Sequence, residues 1–152
     1  MEFNDGLYNL YREVDELSLL NKLFATLLSE RLNIDNYLAN VKIENKTAIK
    51  DTLENINYLL SDALENIKNL IKIKRGYPIY KLDDIELISI IKTKVSGEYK
   101  ESVVIENINS EMNIIINLIK EIISKIDTMK NYETINVLAN ISFQMKTALL
   151  GI

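Results

Sequence analysis

Apolar residues return every three or four positions along most of the chain, and the few interruptions divide it into long amphipathic segments. From Leu7 to about Ala39 they fall at Leu7, Leu10, Val14, Leu17, Phe24, Leu27 and Leu38, with Glu13, Asp15, Glu16, Lys22, Glu30 and Arg31 between them. That spacing predicts one long helix with a single buried stripe. Asn40 to Asn45 breaks the pattern, and Asn45 or a neighbour is placed to cap the next helix. In the second segment Ile49, Leu53, Ile56, Leu60, Ala63, Ile67 and Ile71 recur without a gap. Lys72, Lys74 and Arg75 suit the negative end of its dipole, Gly76 is expected to supply a left-handed residue, and Pro78 prevents continuation.

The segment from Tyr77 to Gly97 is too long for a bare connection, and Leu82-Asp83-Asp84-Ile85-Glu86-Leu87-Ile88 within it reads as a short helix. A third long helix is expected from about Glu98 to Met129, with Ile108, Met112, Ile115, Ile119, Ile122 and Ile126 inward. Asn131 is expected to cap a fourth, carrying Ile135, Leu138, Ile141, Met145 and Leu149 and stopping at Gly151. The order is long, long, short, long, medium. A long crossover with a short helix in it belongs to ferritin-like four-helix bundles rather than simple up-and-down ones, and heptads are not sustained across the breaks as a coiled coil would need.

Composition narrows this further. Four Gly and one Pro in 152 residues leave little material for hairpins, and 47% hydrophobic residues suffice for one core. The reading is an all-α single domain over residues 1–152. The chain has no Cys and no His. Disulfides, thiolate chemistry and the commonest general base and metal ligand are therefore excluded. Catalysis would need carboxylates, Lys or Tyr converging in a pocket, and no such set stands out.

A net charge of −4 argues against duplex DNA as a partner, since non-specific affinity comes from Lys and Arg on phosphates. The start, Met1-Glu2-Phe3-Asn4-Asp5-Gly6, is acidic where a secretory signal is basic, and no apolar run matches a bilayer span, so the expected location is the cytoplasm, with no membrane contact. The triplets beginning at Asn45 and Asn140 then read as chance products of an Asn-rich chain, not glycosylation sites. Tyr11, Tyr37, Tyr58, Tyr77 and Tyr80 are scattered near helix ends and boundaries without the basic lining of a stacking groove, and read as amphipathic packing.

Three stretches resemble one family. Ala48-Ile49-Lys50-Asp51-Thr52-Leu53-Glu54 is similar to a segment of the Dps proteins that runs Ala, apolar, His, Glu, any, Leu, Asp. Lys74-Arg75-Gly76-Tyr77-Pro78-Ile79-Tyr80-Lys81-Leu82-Asp83-Asp84 resembles the stretch leading into that family's short middle helix, and Met145-Lys146-Thr147-Ala148-Leu149-Leu150-Gly151 its last helical turn. With the helix order, the resemblance covers nearly the whole chain. It implies a ferritin-like subunit, a homo-oligomeric cage of twelve, and a role in iron storage and oxidative-stress protection.

The same resemblance implies an iron site between subunits, built from two histidines and a carboxylate of one chain with an Asp and a Glu of its neighbour. Carried over, the histidines fall on Leu38 and Lys50, the carboxylates on Glu54 and Glu65, and the last Glu on Asn69. The residue after the first histidine falls on Ala39, and the next is kept as Asn40. Glu54 and Glu65 are thus weak candidates for metal, while Leu38, Lys50 and Asn69 are degenerate ligand positions. Lys50, Glu54, Glu65 and Asn69 share one helical face opposite the aliphatic stripe. That face reads as an ordinary solvated surface, as an intersubunit ion pair in which Lys50 replaces the metal's charge, or as a weak iron site. These observations leave two readings of function. One is a Dps-like shell whose ferroxidase centre is lost or much weakened, with co-assembly beside an intact relative left open. The other is a helical interaction module with no cage and no metal.

Overall fold

The computed structural model describes residues 2–42, 48–126 and 129–152, with side chains of the first helix from Glu16 onward. The first segment forms one helix, α1, over Glu2–Asn40. From Glu16 on, its inward stripe is Leu20, Leu23, Phe24, Leu27, Ile34 and Tyr37, all essentially without solvent contact. The expected inward residues Leu7, Leu10 and Val14, and the Asn45 cap, lie outside the described side chains. Helix α2 spans Ala48–Ile73, and its buried residues include every one of the stripe from Ile49 to Ile71.

The end of α2 differs from expectation in one respect. The residue with positive φ is Arg75, at 63°, and Gly76 has none. The Gly76 N–H donates to the Ile71 carbonyl at 2.8 Å and the Arg75 N–H to that of Lys72 at 2.9 Å, the paired bonds that close a helix around a left-handed residue. Glycine is favoured at position 76 by space: a Cβ there would lie 2.6 Å from Leu17 Cδ2 and 3.1 Å from Ile71 Cγ2. The close approach of α1 to the end of α2 makes the demand, and the backbone dihedral does not.

The crossover contains α3, Leu82–Ile88, where the pattern places it. Helix α4 runs Glu101–Lys125, a few residues shorter at each end than the apolar spacing suggests, and α5 runs Tyr132–Leu149. Asn131 precedes α5 but does not cap it with its side chain. The amide instead donates to Glu16 Oε1 at 3.0 Å and accepts from Lys74 Nζ at 2.7 Å. A buried carboxylate of α1 and a cation just beyond the end of α2 outcompete local capping here, and together they tie α1, α2 and α5 at one end of the bundle.

In the bundle α1 packs on α2 and α4, and α5 packs on α2 and α4, so the crossover joins helices at opposite corners. The connection lies along α1, which satisfies its backbone with side chains. Thr26 Oγ1 accepts the Ile90 N–H at 3.2 Å, Asn33 Oδ1 accepts that of Lys94 at 2.7 Å, and Asn33 Nδ2 donates to the Lys92 carbonyl at 3.0 Å. Part of the Asn content is thus the means of holding an irregular segment against the bundle. A two-residue strand after α1, β1 (Val41–Lys42), pairs in parallel with β2 (Tyr99–Lys100), with Val41 opposite Tyr99. This bridge has no signature in the pattern, because two residues carry no period.

Candidate functional site

The face expected from the resemblance is on the outside of the bundle. Lys50, Glu54, Glu65 and Asn69 are all exposed, and Leu38 is half-buried against the core. Asn40 is occupied in its own helix, donating to the Asn36 carbonyl at 3.0 Å. Among the described residues Lys50 makes no ion pair within the chain, and Glu65 pairs with Lys68 at 2.7 Å. Glu54 and Glu65 stand three turns apart on α2, about 16 Å along its axis. They cannot chelate one ion within a single chain.

A second constellation lies inside the bundle, at residues that the motifs and the resemblance do not single out. Glu30 on α1 and Glu111 on α4 are both buried, at 0% and 4% exposure, in a core made mainly of Leu and Ile. Their burial follows from phase. Glu30 continues the inward series Leu23, Leu27, Ile34, Tyr37, and Glu111 sits between Ile108 and Ile115. A charged residue in step with an aliphatic stripe is the available signal, and it is lost when Glu30 is counted among the polar separators of α1.

The two carboxyls are not equivalent. Glu111 Oε1 accepts the hydroxyl of Tyr37 at 2.5 Å, and its Oε2 has a long contact of 3.5 Å from Asn33 Nδ2. Neither oxygen of Glu30 has a hydrogen-bond partner. Burial, followed by the adjacent Glu111 carboxyl, pushes the Glu30 carboxyl well above the usual range, and Asn33 and Lys94 offset this only in part. Tyr37 is raised too, by burial and by its bond to Glu111, so its phenol remains a donor. Its ring meets that of Tyr99 edge-on, with centroids 5.3 Å apart, and the Tyr99 hydroxyl donates to the Val95 carbonyl.

Bundle cores of this type can hold metals where facing helices all project carboxylates and imidazoles inward. Here the donor set is half of that. The buried residues of α2 are all aliphatic, and those of α5 are Thr134, Leu138, Ile141 and Met145. Among the described residues no group of three or more acidic side chains could hold a metal ion. Two carboxyls and one phenol do not fit a dinuclear iron centre.

The bundle with its crossover helix superposes on known structures over nearly its full length. A Dps protein from Bacillus brevis matches with a TM-score of 0.85, covering 92% of this chain and 93% of its own at 16% identity. The fold is that of the Dps proteins. Antigen TpF1 from Treponema pallidum gives a TM-score of 0.85 at 10% identity, covering 92% of this chain and 90% of its own. A DPS protein from Vibrio cholerae O1, described as a member of a broad superfamily of ferritin-like diiron-carboxylate proteins, gives 0.84 at 14%, covering 93% and 89%. No family model and no curated protein matches the sequence. The Dps-like architecture is therefore carried by a sequence that shares little residue identity with these structures, between 10% and 16%.

Proposed function

We propose that the protein is a shell-forming subunit of Dps-like fold, assembling from identical copies in the cytoplasm, in which the inter-subunit ferroxidase centre is lost or strongly weakened. The observation that carries this reading is the outer face of α2. Of the five positions that the family resemblance assigns to the metal, Leu38 has no donor atom, Lys50 is a cation that repels iron, and Asn69 is a neutral amide. Glu54 and Glu65 remain as weak carboxylate contacts for iron as cargo. A cage of twelve is the assembly we infer from the resemblance, with or without an intact relative in the same shell.

Self-association is supported by the crossover. Tyr77, Tyr80, Leu82 and Leu87 are all more than half exposed within one short stretch, and only Ile85 of α3 faces the core. Apolar residues gathered in this way mark a surface that another subunit covers. A rival reading, an interaction module without a cage, is favoured by the open, largely apolar groove between α2 and α5 lined by Thr52, Leu59, Phe143 and Ala148, a surface of the chemistry that an amphipathic partner helix uses.

Light scattering on the purified protein, followed by anaerobic iron(II) addition and exposure to peroxide, separates these readings. A shell-sized particle that oxidises iron no faster than buffer is the expected result. A shell that oxidises iron rapidly overturns the loss of the centre, and a monomer or dimer favours the module.

A further inference from the structure

Two buried carboxyl groups side by side cannot both ionise without a cation, and among the described residues none lies close to Glu30 and Glu111. Helix α1 contributes Asn33 and the phenol of Tyr37 to their surroundings, and α4 contributes Glu111 itself. The crossover contributes Lys94, which is exposed and acts only at a distance. The buried faces of α2 and α5 carry no titratable group. A buried pair in this setting is neutralised by a metal or by a proton. The donor set does not fit a metal, for want of ligands from two of the four helices.

We propose that the centre of the bundle is a proton site: Glu30 is kept as the neutral acid and Glu111 as the carboxylate, one proton standing where a metal-binding bundle of this shape would hold a cation. The division between the two residues follows from their partners. The Tyr37 hydroxyl donates to Glu111 at 2.5 Å, which favours negative charge there, whereas neither oxygen of Glu30 has a donor at ordinary hydrogen-bond distance and Asn33 offsets its burial only in part. As the neutral acid, Glu30 carries a hydroxyl to donate to the adjacent Glu111 carboxylate, the partner that a buried acid needs. Protonation thus belongs to the native state as a structural element.

The consequence is a link between folding and pH. A carboxyl raised in the folded protein holds its proton more tightly there than in the unfolded chain, where its value is near 4.5. Its contribution to stability is whole below that value and is lost as pH rises toward the folded one. For one proton the unfolding constant rises about tenfold per pH unit across that window.

The test uses the full chain and two readouts. Infrared difference spectra at pH 7 should show the carbonyl band of one protonated carboxylic acid, absent in Glu30→Gln. Urea unfolding of that variant, whose amide imitates the neutral acid, should show the parent losing ground to it by about tenfold in unfolding constant per pH unit above the unfolded value. Addition of manganese(II) should leave the band in place. A parent protein without the band at pH 7, a band removed by one equivalent of manganese(II), or a Glu30→Gln variant weakened equally at all pH values would each overturn the proposal. The infrared measurement on the parent needs no variant, so a misfolded Glu30→Gln would not shelter the idea.

Discussion

Two pairs of glutamates occupy helices of this bundle and meet opposite fates. Glu54 and Glu65 stand on the outer face of α2, exposed, one of them paired to Lys68 in water. Glu30 and Glu111 stand in the core, with no close cation among the described residues and with one phenol for support. The same side chain costs almost nothing in the first place and several kcal/mol in the second unless it is neutralised. A resemblance that matches ligand positions draws attention to the outer pair. The physical chemistry is concentrated in the inner one.

The comparison can be broken most forcefully at Glu111. Replacing Glu111 by Ala leaves the Tyr37 hydroxyl and the Glu30 acid without their partner and opens a void, so a loss of about 2–5 kcal/mol is expected in urea unfolding. Tyr37→Phe keeps the packing against Tyr99 but removes the donor to Glu111, for an expected loss of about 1–3 kcal/mol. Glu30→Gln should act in the opposite direction, raising stability at pH 8 relative to pH 5 when both are compared with the parent; a variant weaker than the parent at pH 8 would place a full charge on Glu30. Smallest of all, Glu65→Ala and Glu54→Ala on the outer face should leave both the urea midpoint and the rate of iron(II) oxidation unchanged, since solvated pairs contribute little. A measurable fall in that rate would show that the outer carboxylates still handle iron.

Legibility differs in the same way between the two regions. The helices can be read because a 3.6-residue period repeats many times in each, and every repeat adds weight; the crossover helix stands at Leu82–Ile88, where a short amphipathic stretch is set off by Pro78 and Gly97. Helix ends are less legible. Arg75 takes the left-handed place, with Gly76 kept small by Leu17, and Asn131 gives its side chain to Glu16 and Lys74 rather than to the helix it precedes. Both outcomes depend on a helix far away in sequence. The short bridge of Val41 with Tyr99 depends on two such arrivals at once.

By itself the sequence determined the class of fold, the number and order of helices, and which chemistries are absent, since periodicity and residue inventory are local properties that no packing can alter. Only the tertiary structure decided that Glu30 and Glu111 meet. They lie on different helices of like amphipathic pattern, and whether a polar residue in the buried phase faces water, a cation or another carboxyl is set by which helix packs beside it. That choice belongs to the bundle's geometry, and the proton at its centre follows from it.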